Sequence, residues 1–308
     1  MDYAAHVEKS LNLIEPDIIF SPGTIPIAYL ETEKPIVVWT DATFAGLVNF
    51  YPGFDNLCAE TIRNGNKMEQ IALSKCQLAI YSSEWAARTA IQYYDVDPAK
   101  VKVVPFGANI GCDRTLTDIK RIIEHKSKNF DVCKLLFLGV DWHRKGGEKA
   151  LEVAQLLNQR GIKTELHIVG CTPPLELPDF VKPHGFISKK TAQGVRYLEQ
   201  LFSESHFLIL PSIAECAAVV FAEASSFGLP SLATNVGGIP TVIQDGKNGW
   251  TFAVDATPEK YCNYIESLMS SQESYKALAL SSFQTYAEKL NWFSAGRQVQ
   301  ALIQAFCG

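Results

Sequence analysis

The sequence predicts an α/β protein built from two Rossmann-like, doubly wound domains. Short apolar runs bounded by turn residues are typical of buried parallel strands. These runs alternate along the chain with segments of helical length and helical apolar spacing. A polar stretch over residues 110–130 interrupts the alternation, and a second series of strands and helices begins after it. A chain of 308 residues has the length of about two ordinary domains.

Composition and charge limit the class of protein. Of the 308 residues, 47% are apolar and 20% are charged, which is the profile of a soluble globular chain. The net charge of −5 argues against a nucleic-acid-binding protein, whose surface is basic. No apolar run is long enough for a membrane-spanning helix, and the start of the chain lacks the features of a signal peptide. Because the eight cysteines form no C-x-x-C pair, we expect a cytoplasmic protein with reduced cysteines, for which peripheral membrane contact stays open.

Residues 1–115 are predicted to form the first domain, in which strands and helices alternate. Ser82 or Ser83 is expected to cap the helix that follows it, because a serine hydroxyl satisfies free N–H groups in the first turn. A linker over residues 116–130 comes next. The predicted strands cover residues 17–20, 35–39, 77–81 and 101–104, and the predicted helices cover residues 1–14 and 58–74, with a third ending at residue 94.

Residues 131–285 are predicted to form the second domain, and residues 286–308 a C-terminal helix that packs back on the first. The helix that contains Glu223 is expected to end at Gly228, since glycine tolerates the left-handed conformation and Pro230 cannot continue a helix. The tail from residue 258 is expected to be helical, with a break at Trp292. The predicted strands cover residues 134–140, 165–169, 206–210 and 231–233, with another ending at residue 187, and the other helices cover residues 147–159 and 191–203.

The most informative stretch runs from residue 206 to residue 250. Strands there end in polar or glycine-rich loops, and in open α/β sheets ligands bind at such strand ends. Glu215 and Glu223 lie in this stretch. Because eight residues of helix span about 12 Å, the two carboxylates are suited to hold different ends of an elongated ligand. Around them the sequence reads Pro-Ser, Glu-Ala, Gly-Leu-Pro and Gly-Gly-Ile-Pro.

This arrangement of motifs resembles the retaining glycosyltransferases with the GT-B fold (family 4-like, group 1), most specifically over residues 131–253. The resemblance implies two Rossmann-like domains and transfer of a sugar from a nucleotide-diphosphate sugar to an acceptor hydroxyl with retention of configuration. The implied partners are the nucleotide-sugar donor and a saccharide, lipid-linked or small-molecule acceptor, without nucleic acid. No Asp-x-Asp motif follows a strand end, so we expect the reaction to need no metal ion and no other cofactor.

The resemblance also assigns roles to individual side chains. It implies that Glu223 binds both hydroxyls of the nucleotide ribose and that Glu215 contacts the donor sugar near the reacting centre. Lys145, which directly precedes a glycine, matches the lysine that the family places against the leaving diphosphate. Arg144 substitutes for the family's arginine, because Val140 stands at the usual position of that arginine. Adjacent cations stabilise a diphosphate as the glycosidic bond breaks; a solvated basic turn is the alternative for both residues.

Backbone and apolar groups complete the predicted donor site. Residues 216–220 would present N–H groups at a helix N-terminus, where free donors and the helix dipole favour a phosphate. Within this segment, we expect Ala218, Val219 and Val220 to contact the donor. Ala218 lies near the position at which the family usually has a glycine. By resemblance, Phe186 and Ile187 lie at the strand end that holds the nucleobase, with core packing as the alternative.

The first domain offers one candidate, Asp41, at the end of a predicted strand. We expect it to contact the sugar or the acceptor, and a helix N-cap is the alternative role. Relatives normally begin with a strand and a glycine-rich loop, whereas this chain begins at what resembles a later helix. We therefore expect a first domain that is truncated at its N-terminus and lacks part of the acceptor wall.

Two alternative functions follow from the same residues. A non-catalytic remnant would bind a nucleotide sugar through the second domain without transferring the sugar, in keeping with an incomplete first domain. A nucleotide-sugar epimerase on the same architecture would convert the nucleotide sugar in the absence of an acceptor.

Overall fold

The computed structural model of the chain describes residues 2–111, 113–128, 130–174 and 176–307. The chain divides into two compact units. Met1–Pro105 and Gly296–Gly308 form the first unit, and Phe106–Ala295 forms the second. A parallel sheet lies at the centre of each unit, which confirms the predicted α/β class with two Rossmann-like domains.

In the part of the first unit that the structure describes, the sheet has four parallel strands, which are ordered in space as they are in sequence. They are β1 (Ile19–Ser21), β2 (Ile36–Thr40), β3 (Leu78–Tyr81) and β4 (Val101–Val103). The helices are α1 (Asp2–Ile14), α2 (Phe44–Leu47), α3 (Ala59–Lys75) and α4 (Glu84–Tyr93), with a 3-10 turn at Pro98–Lys100. α4 begins with a predicted cap, because the Ser83 hydroxyl accepts from the Ala86 N–H at 3.2 Å.

Within the described residues, the sheet of the second unit has six parallel strands. In sequence order they are β5 (Cys133–Leu138), β6 (Thr164–Val169), β7 (Val181–Gly185), β8 (Phe207–Leu210), β9 (Ser231–Thr234) and β10 (Gly249–Phe252). In space the order is β10-β9-β8-β5-β6-β7. The chain therefore passes from β5 through β6 to β7 at one edge of the sheet. It then returns to the other side of β5 with β8 and continues through β9 to β10 at the opposite edge. This is the doubly wound order of a Rossmann fold, with its switch point between β5 and β8.

The helices of the second unit largely follow the predicted alternation. They are α5 (Leu116–Lys128), α6 (Gly147–Gln159), α7 (Ala192–Glu204), α8 (Val219–Ser225), α9 (Ile239–Val242), α10 (Pro258–Met269) and α11 (Gln272–Glu288). The last helix, α12 (Trp292–Cys307), begins at the predicted break and continues into the residues of the first unit. No helix within the described ranges has both the length and the apolar character needed to cross a membrane.

Burial explains why the apolar runs of the sequence form strands. Every residue of β8 is buried, and Leu135, Leu136 and Phe137 of β5 are equally inaccessible. Strands of a parallel sheet are covered on both faces, so they need apolar side chains along their whole length. The two central strands of the second unit are therefore anchored in the core, and the polar residues begin where these strands end.

Several local features differ from the sequence predictions. The predicted linker over residues 116–130 contains α5, whose Ile119 and Ile123 lie in the core of the second unit. Polar residues surround these two side chains in the sequence and conceal the helical spacing. β7 ends before residue 187 because Gly185 takes a left-handed φ of +64°. α2, α9 and β10 have no counterpart among the predicted elements.

One carboxylate is buried in the first unit. Glu69 of α3 has only 4% of its surface exposed. Burial raises the pKa of Glu69 from the usual value of 4.5 to about 7, although the Thr24 hydroxyl and the nearby Phe44 backbone amide act in the opposite direction. The folded chain therefore keeps a proton on Glu69 at pH values between 4.5 and 7, at which the unfolded chain has released it.

We predict that the folded chain loses stability as the pH rises through this interval, because the contribution of protonated Glu69 is complete below pH 4.5 and is lost above about 7. The loss should be roughly 2–3 kcal/mol in the free energy of unfolding. Glu69→Gln has no carboxylate to ionise at this position, so its free energy of unfolding should lack this pH dependence. Glu60→Gln, at an exposed position of the same helix, should show the same pH dependence as the wild type. Urea unfolding at pH 5 and pH 8 measures the difference, and equal pH dependences for Glu69→Gln and the wild type would contradict the raised pKa.

Candidate functional site

The switch point of the second unit brings two loops side by side. β5 and β8 are neighbours in the sheet, and the loops that follow them cover residues 139–146 and 211–218. In doubly wound sheets, the crevice outside the switch point is where ligands bind. Four of the predicted site residues lie on these two loops, namely Arg144, Lys145, Glu215 and Ala218.

Close backbone contacts hold the two loops together. Gly146 has a φ of +76°, and a Cβ at this position would overlap the carbonyl oxygen of Pro211. Only glycine combines the left-handed backbone with such an approach at no steric cost. The Ile213 N–H donates to the Arg144 carbonyl at 2.9 Å, and Arg144 Nη1 donates to the Ala214 carbonyl at 3.2 Å. The glycine of the Lys-Gly pair therefore fixes the position of its lysine beside the loop after β8.

Glu215 forms ion pairs with both predicted basic residues. Lys145 Nζ donates to Glu215 Oε2, and Arg144 Nη1 lies 3.5 Å from the same oxygen. The Arg144 guanidinium also pairs with Asp141, at 3.5 Å between Nε and Oδ2. Only 6% of Glu215 and 9% of Arg144 is exposed. The three side chains Arg144, Lys145 and Glu215 are thus brought together in an environment where charges interact more strongly than in water.

The Gly-Gly-Ile-Pro loop supports Glu215 from the other side. The Gly238 N–H donates to the Glu215 backbone carbonyl at 2.9 Å. The Thr234 hydroxyl, at the end of β9, donates to the Ser212 carbonyl. Both contacts tie the loop after β9 to the loop after β8. Gly238 of this motif is therefore a structural partner of Glu215.

Glu223 lies within α8 and pairs with a lysine that the sequence analysis missed. It is 2% exposed, and Lys189 Nζ donates to its Oε1. Lys189 lies shortly after β7, so the contact joins two distant parts of the chain. The available signal in the sequence was a Lys-Lys pair just beyond a strand end, which is equally typical of a solvated turn.

The backbone around Ala218 differs from the predicted helix N-terminus. α8 begins at Val219, so the prediction that residues 216–220 present such a terminus is wrong for its first residues. The loop after β8 continues through Ala218, and the Val219 N–H donates to the Ala217 carbonyl at 3.0 Å. Val220 lies in the first turn of α8. The contact of these residues with a donor stays a prediction.

A cavity of about 310 Å³ opens at the carboxyl ends of β5, β6 and β7. Phe186 and Ile187, the predicted nucleobase residues, line it, and Phe186 is largely exposed. Gly139 and Gly170 bring two strand ends so close that a Cβ on Gly170 would lie 2.8 Å from the Gly139 carbonyl oxygen. The apolar side chains of the lining are Leu138, Val140, Val169, Phe186, Ile187 and Leu198. A cavity lined mainly by apolar groups is typical of small-molecule sites.

Two residues connect this cavity with the ion pairs. Gly139 lines the cavity and also packs against Lys145, because a Cβ on Gly139 would lie 2.8 Å from the Lys145 Cγ. Lys189 lines the cavity and pairs with Glu223. An apolar cavity, two ammonium groups and two carboxylates are therefore contiguous. In the part of the chain that the structure describes, no group of three or more His, Cys, Asp or Glu side chains is arranged to hold a metal ion.

Asp41, the candidate of the first unit, lies directly after β2 and lines a separate cavity of about 450 Å³. Its alternative role as a helix N-cap is wrong, because Thr43 caps α2 and accepts from the Gly46 N–H at 3.1 Å. The predicted contact of Asp41 with a sugar or an acceptor stays a prediction.

Comparison with known proteins gives a family match and several distant relatives. The model of the family Glycosyl transferases group 1 matches residues 118–283, more than half of the chain. The chain is 20% identical over 250 residues to the D-inositol 3-phosphate glycosyltransferase of Corynebacterium diphtheriae, covering 76% of this chain and 57% of that protein. It is 26% identical over 172 residues to the alpha-D-kanosaminyltransferase of Streptomyces kanamyceticus, covering 54% and 44%. The chain thus spans about half the length of these curated relatives.

Solved structures of low sequence identity share the fold. Sucrose-phosphate synthase from Thermosynechococcus elongatus aligns with a TM-score of 0.74 at 15% identity, covering 99% of this chain and 77% of that one. The Anabaena protein Alr3699/HepE, solved in complex with UDP and glucose, aligns with a TM-score of 0.70 at 17% identity, covering 98% and 80%. These likenesses and the two Rossmann-like sheets confirm the predicted GT-B fold class.

Proposed function

The chain belongs to the group 1 family of glycosyl transferases, and from this membership we propose that it transfers a sugar from a nucleotide-diphosphate sugar to an acceptor hydroxyl. We propose further that the transfer retains the configuration of the sugar and needs no metal ion. The proposed acceptor is a saccharide, a lipid-linked molecule or a small molecule. The proposed location of the protein is the cytoplasm, as expected from the sequence.

The observation that carries this proposal is the set of two lysine–glutamate pairs beside the cavity. Lys145 is paired with Glu215, and Lys189 is paired with Glu223. A nucleotide sugar has phosphates, which accept hydrogen bonds from ammonium groups, and hydroxyls, which donate to carboxylates. Binding can therefore exchange two internal ion pairs for ligand contacts without leaving a buried charge unpaired, which is otherwise costly.

We assign the base to the cavity and the ribose to Glu223. Phe186 and Ile187 offer the apolar contact that a base requires, and Lys189 lies between the cavity and Glu223. Ala218, Val219 and Val220, which precede Glu223, are also proposed to contact the donor. Because Alr3699/HepE was solved with UDP and glucose, UDP is the first nucleotide to test.

Lys145 is the proposed ligand of the leaving diphosphate, whereas Arg144 is a positioning residue. The stem of Lys145 packs on Gly139 at the edge of the cavity. The Arg144 guanidinium instead contacts the Ala214 carbonyl and Glu215, so it holds the loop that carries Glu215. Glu215 is the group that we expect to contact the donor sugar. Of the two cations assigned to the diphosphate from the sequence, the geometry favours Lys145 alone.

In the proposed reaction, the acceptor oxygen forms a bond to the anomeric carbon on the face from which the diphosphate leaves. The bond between this carbon and the diphosphate oxygen breaks, and the acceptor proton passes to a departing phosphate oxygen. Lys145 stabilises the negative charge that develops on the diphosphate. No side chain needs to act as a general base in this scheme.

Glu223→Gln is expected to weaken the binding of the nucleotide sugar about tenfold to a hundredfold, because a hydrogen bond to a charged group is worth roughly 1.5–3 kcal/mol. The dissociation constant from calorimetric titration measures this change. Glu273→Gln, at an exposed position of α11, serves as the matched control and should bind as the wild type does. A Glu223→Gln variant that is folded and binds with unchanged affinity would remove Glu223 from the donor site.

The transfer itself is tested by incubating the full chain with UDP-, GDP- and ADP-glucose and a panel of sugar, inositol phosphate and lipid acceptors. We expect release of the nucleoside diphosphate that depends on the acceptor and is unchanged by EDTA. The coupling constant of the anomeric proton should show that the product has the configuration of the donor sugar. An inverted product, or activity lost with EDTA, would contradict the proposed mechanism, and binding without any transfer would favour the non-catalytic remnant.

A further inference from the structure

The strand β7 is irregular just before it reaches the loop of residues 186–191, which joins it to α7. Its register against β6 shifts between Ile168 and Val169, so that the pairing passes over His184. The next residue, Gly185, has a left-handed φ of +64°. An extra residue of this kind is a β-bulge, and bulges re-aim side chains beside functional sites. The side chain that the irregularity places here is an imidazole.

His184 joins three elements through this imidazole. Its Nε2 lies 2.9 Å from Nδ1 of His167 in β6, and its Nδ1 lies 2.7 Å from the hydroxyl of Tyr197 in α7. The two imidazole rings are stacked, with an angle of 8° between their planes. At the far end, His167 Nε2 lies 3.4 Å from Glu165 Oε2. The four side chains Tyr197, His184, His167 and Glu165 are called the histidine network below.

One direction of hydrogen bonding satisfies the histidine network. A neutral imidazole has one N–H donor and one acceptor nitrogen. The carboxylate of Glu165 favours a proton on the neighbouring Nε2 of His167, which leaves Nδ1 of His167 as an acceptor. His184 then donates from Nε2 to His167 and accepts the Tyr197 O–H at Nδ1. We assign these tautomers, because they connect β6, β7 and α7 in series with every donor facing an acceptor.

Burial keeps both imidazoles neutral. It lowers the pKa of His167 below the usual value of 6.5, and the neighbouring His184 acts in the same direction, while Glu165 opposes it. Burial also lowers the pKa of His184. Lys134 of β5 and Glu204 of α7 act on His167 as well, and these two side chains pair with each other at 3.4 Å. Neither ring therefore needs an extra proton at pH 7, and the hydrogen bonds of the network are complete.

The bond between His184 and Tyr197 closes the base of the loop of residues 186–191. His184 lies two residues before this loop, and Tyr197 lies in the second turn of the helix that follows it. Between them, the loop packs directly on α7, since a Cβ on Gly194 would lie 2.1 Å from the Ser188 carbonyl oxygen. The histidine network thus fixes the distance between β7 and α7, and a change in this distance moves the loop.

We propose that the histidine network positions the loop of residues 186–191 for nucleotide binding. This inference rests on the proposed function, because the loop carries Phe186 and Ile187 of the base cavity and Lys189, which pairs with Glu223. Among the described residues that line the cavity, none belongs to the network. Its side chains are therefore positioning residues, which act on the nucleotide through the loop.

Tyr197→Phe removes the hydroxyl alone and tests the proposal with the smallest change. We expect it to weaken binding of the preferred nucleotide about threefold to tenfold, the effect of one lost hydrogen bond. Turnover at saturating donor should stay within about twofold of the wild type, because Lys145 and Glu215 are untouched. Calorimetric titration with UDP, GDP and ADP gives the affinity, and nucleoside diphosphate release gives the turnover. Tyr93→Phe, at an exposed position of α4, is the matched control and should change neither.

Changes at His184 test whether the side chains act as one network. His184→Ala breaks both bonds of the imidazole and should weaken nucleotide binding about tenfold to a hundredfold. His184→Asn keeps an amide near the position of Nδ1, within reach of Tyr197, and should recover part of the affinity. Adding Tyr197→Phe to His184→Ala should cause little further loss, because both changes remove the same hydrogen bond.

Hydrogen exchange of the ligand-free chain measures the loop independently of any nucleotide. The amides of residues 186–191 should exchange faster in Tyr197→Phe than in the wild type, and Tyr93→Phe should show no such increase. Unchanged exchange together with unchanged affinity in Tyr197→Phe and His184→Ala would overturn the positioning role. A turnover that falls as much as the affinity would also overturn it, since the network would then support the whole unit.

The same measurements separate this inference from the proposed function. If the wild type binds a nucleotide and the variants bind it equally well, the role of the network is wrong while the donor site stands. If the wild type binds none of the three nucleotides, the donor site is wrong and so is the role of the network in binding. Faster loop exchange in Tyr197→Phe would then identify a clamp that is structural only.

Discussion

Gly146→Ala is expected to lower the free energy of unfolding of the second unit by about 4 kcal/mol or more. The φ of +76° at Gly146 is strained for alanine, which alone costs about 1–2 kcal/mol. The new Cβ would also overlap the Pro211 carbonyl oxygen and lie 2.7 Å from its carbonyl carbon, and neither backbone atom can move without separating the two loops of the site. Urea unfolding followed by circular dichroism measures the change.

Gly161→Ala is the matched control for this experiment. Gly161 lies just beyond α6 with a φ of +84°, and a Cβ there has no heavy atom within 4 Å. This variant therefore reports the cost of the left-handed backbone alone, which should be about 1–2 kcal/mol. If Gly146→Ala is no more destabilising than Gly161→Ala, the loops after β5 and β8 are not held by the contact between Gly146 and Pro211.

Lys145→Ala is expected to reduce the turnover number about 100-fold to 1,000-fold, which is the effect of removing one preorganised group that stabilises charge in a transition state. The affinity for the nucleotide sugar should fall less than tenfold, because the negative charge on the diphosphate increases as the glycosidic bond breaks. The measurement is the rate of nucleoside diphosphate release with the donor and acceptor found in the transfer screen, together with the dissociation constant of the donor.

Two further variants separate this role from a structural one. Lys260→Ala removes an exposed lysine of α10 and should leave turnover and affinity unchanged. Lys145→Arg keeps a cation next to Glu215 and should recover part of the lost turnover. A Lys145→Ala variant whose turnover and affinity decline by the same small factor would mean that Lys145 only neutralises Glu215.

The elements that position the site could be predicted from the sequence because their signals are local. β8 is an uninterrupted apolar run, and α6 shows helical apolar spacing from Ala150 to Leu157. The Lys-Gly pair at Lys145 is conspicuous by itself, although only the structure shows that Gly146 is needed for a close contact with Pro211. Local patterns therefore predicted the positions of β5 and β8 and the charged loops that follow these two strands.

The features that escaped prediction depend on contacts between distant parts of the chain. Lys189 lies in the loop after β7 and pairs with Glu223 of α8, and neither stretch of sequence contains a sign of the other. α5 resembles a linker because its buried face consists of few apolar residues, Ile119 and Ile123 among them. Glu69 lies on a mostly polar helix, where nothing in the sequence marks it as buried. Long-range packing decides each of these cases.

We propose that the second unit binds a nucleoside diphosphate through the cavity at Phe186 and the residues Glu223 and Lys145. Calorimetric titration of the full chain with UDP, GDP and ADP, repeated on Glu223→Ala, tests it most directly. We predict that one nucleotide binds in preference to the others and that Glu223→Ala loses at least tenfold in affinity for it. If the wild type binds none of the three, or binds all three equally and the variant does the same, the second unit does not contain the donor site described above.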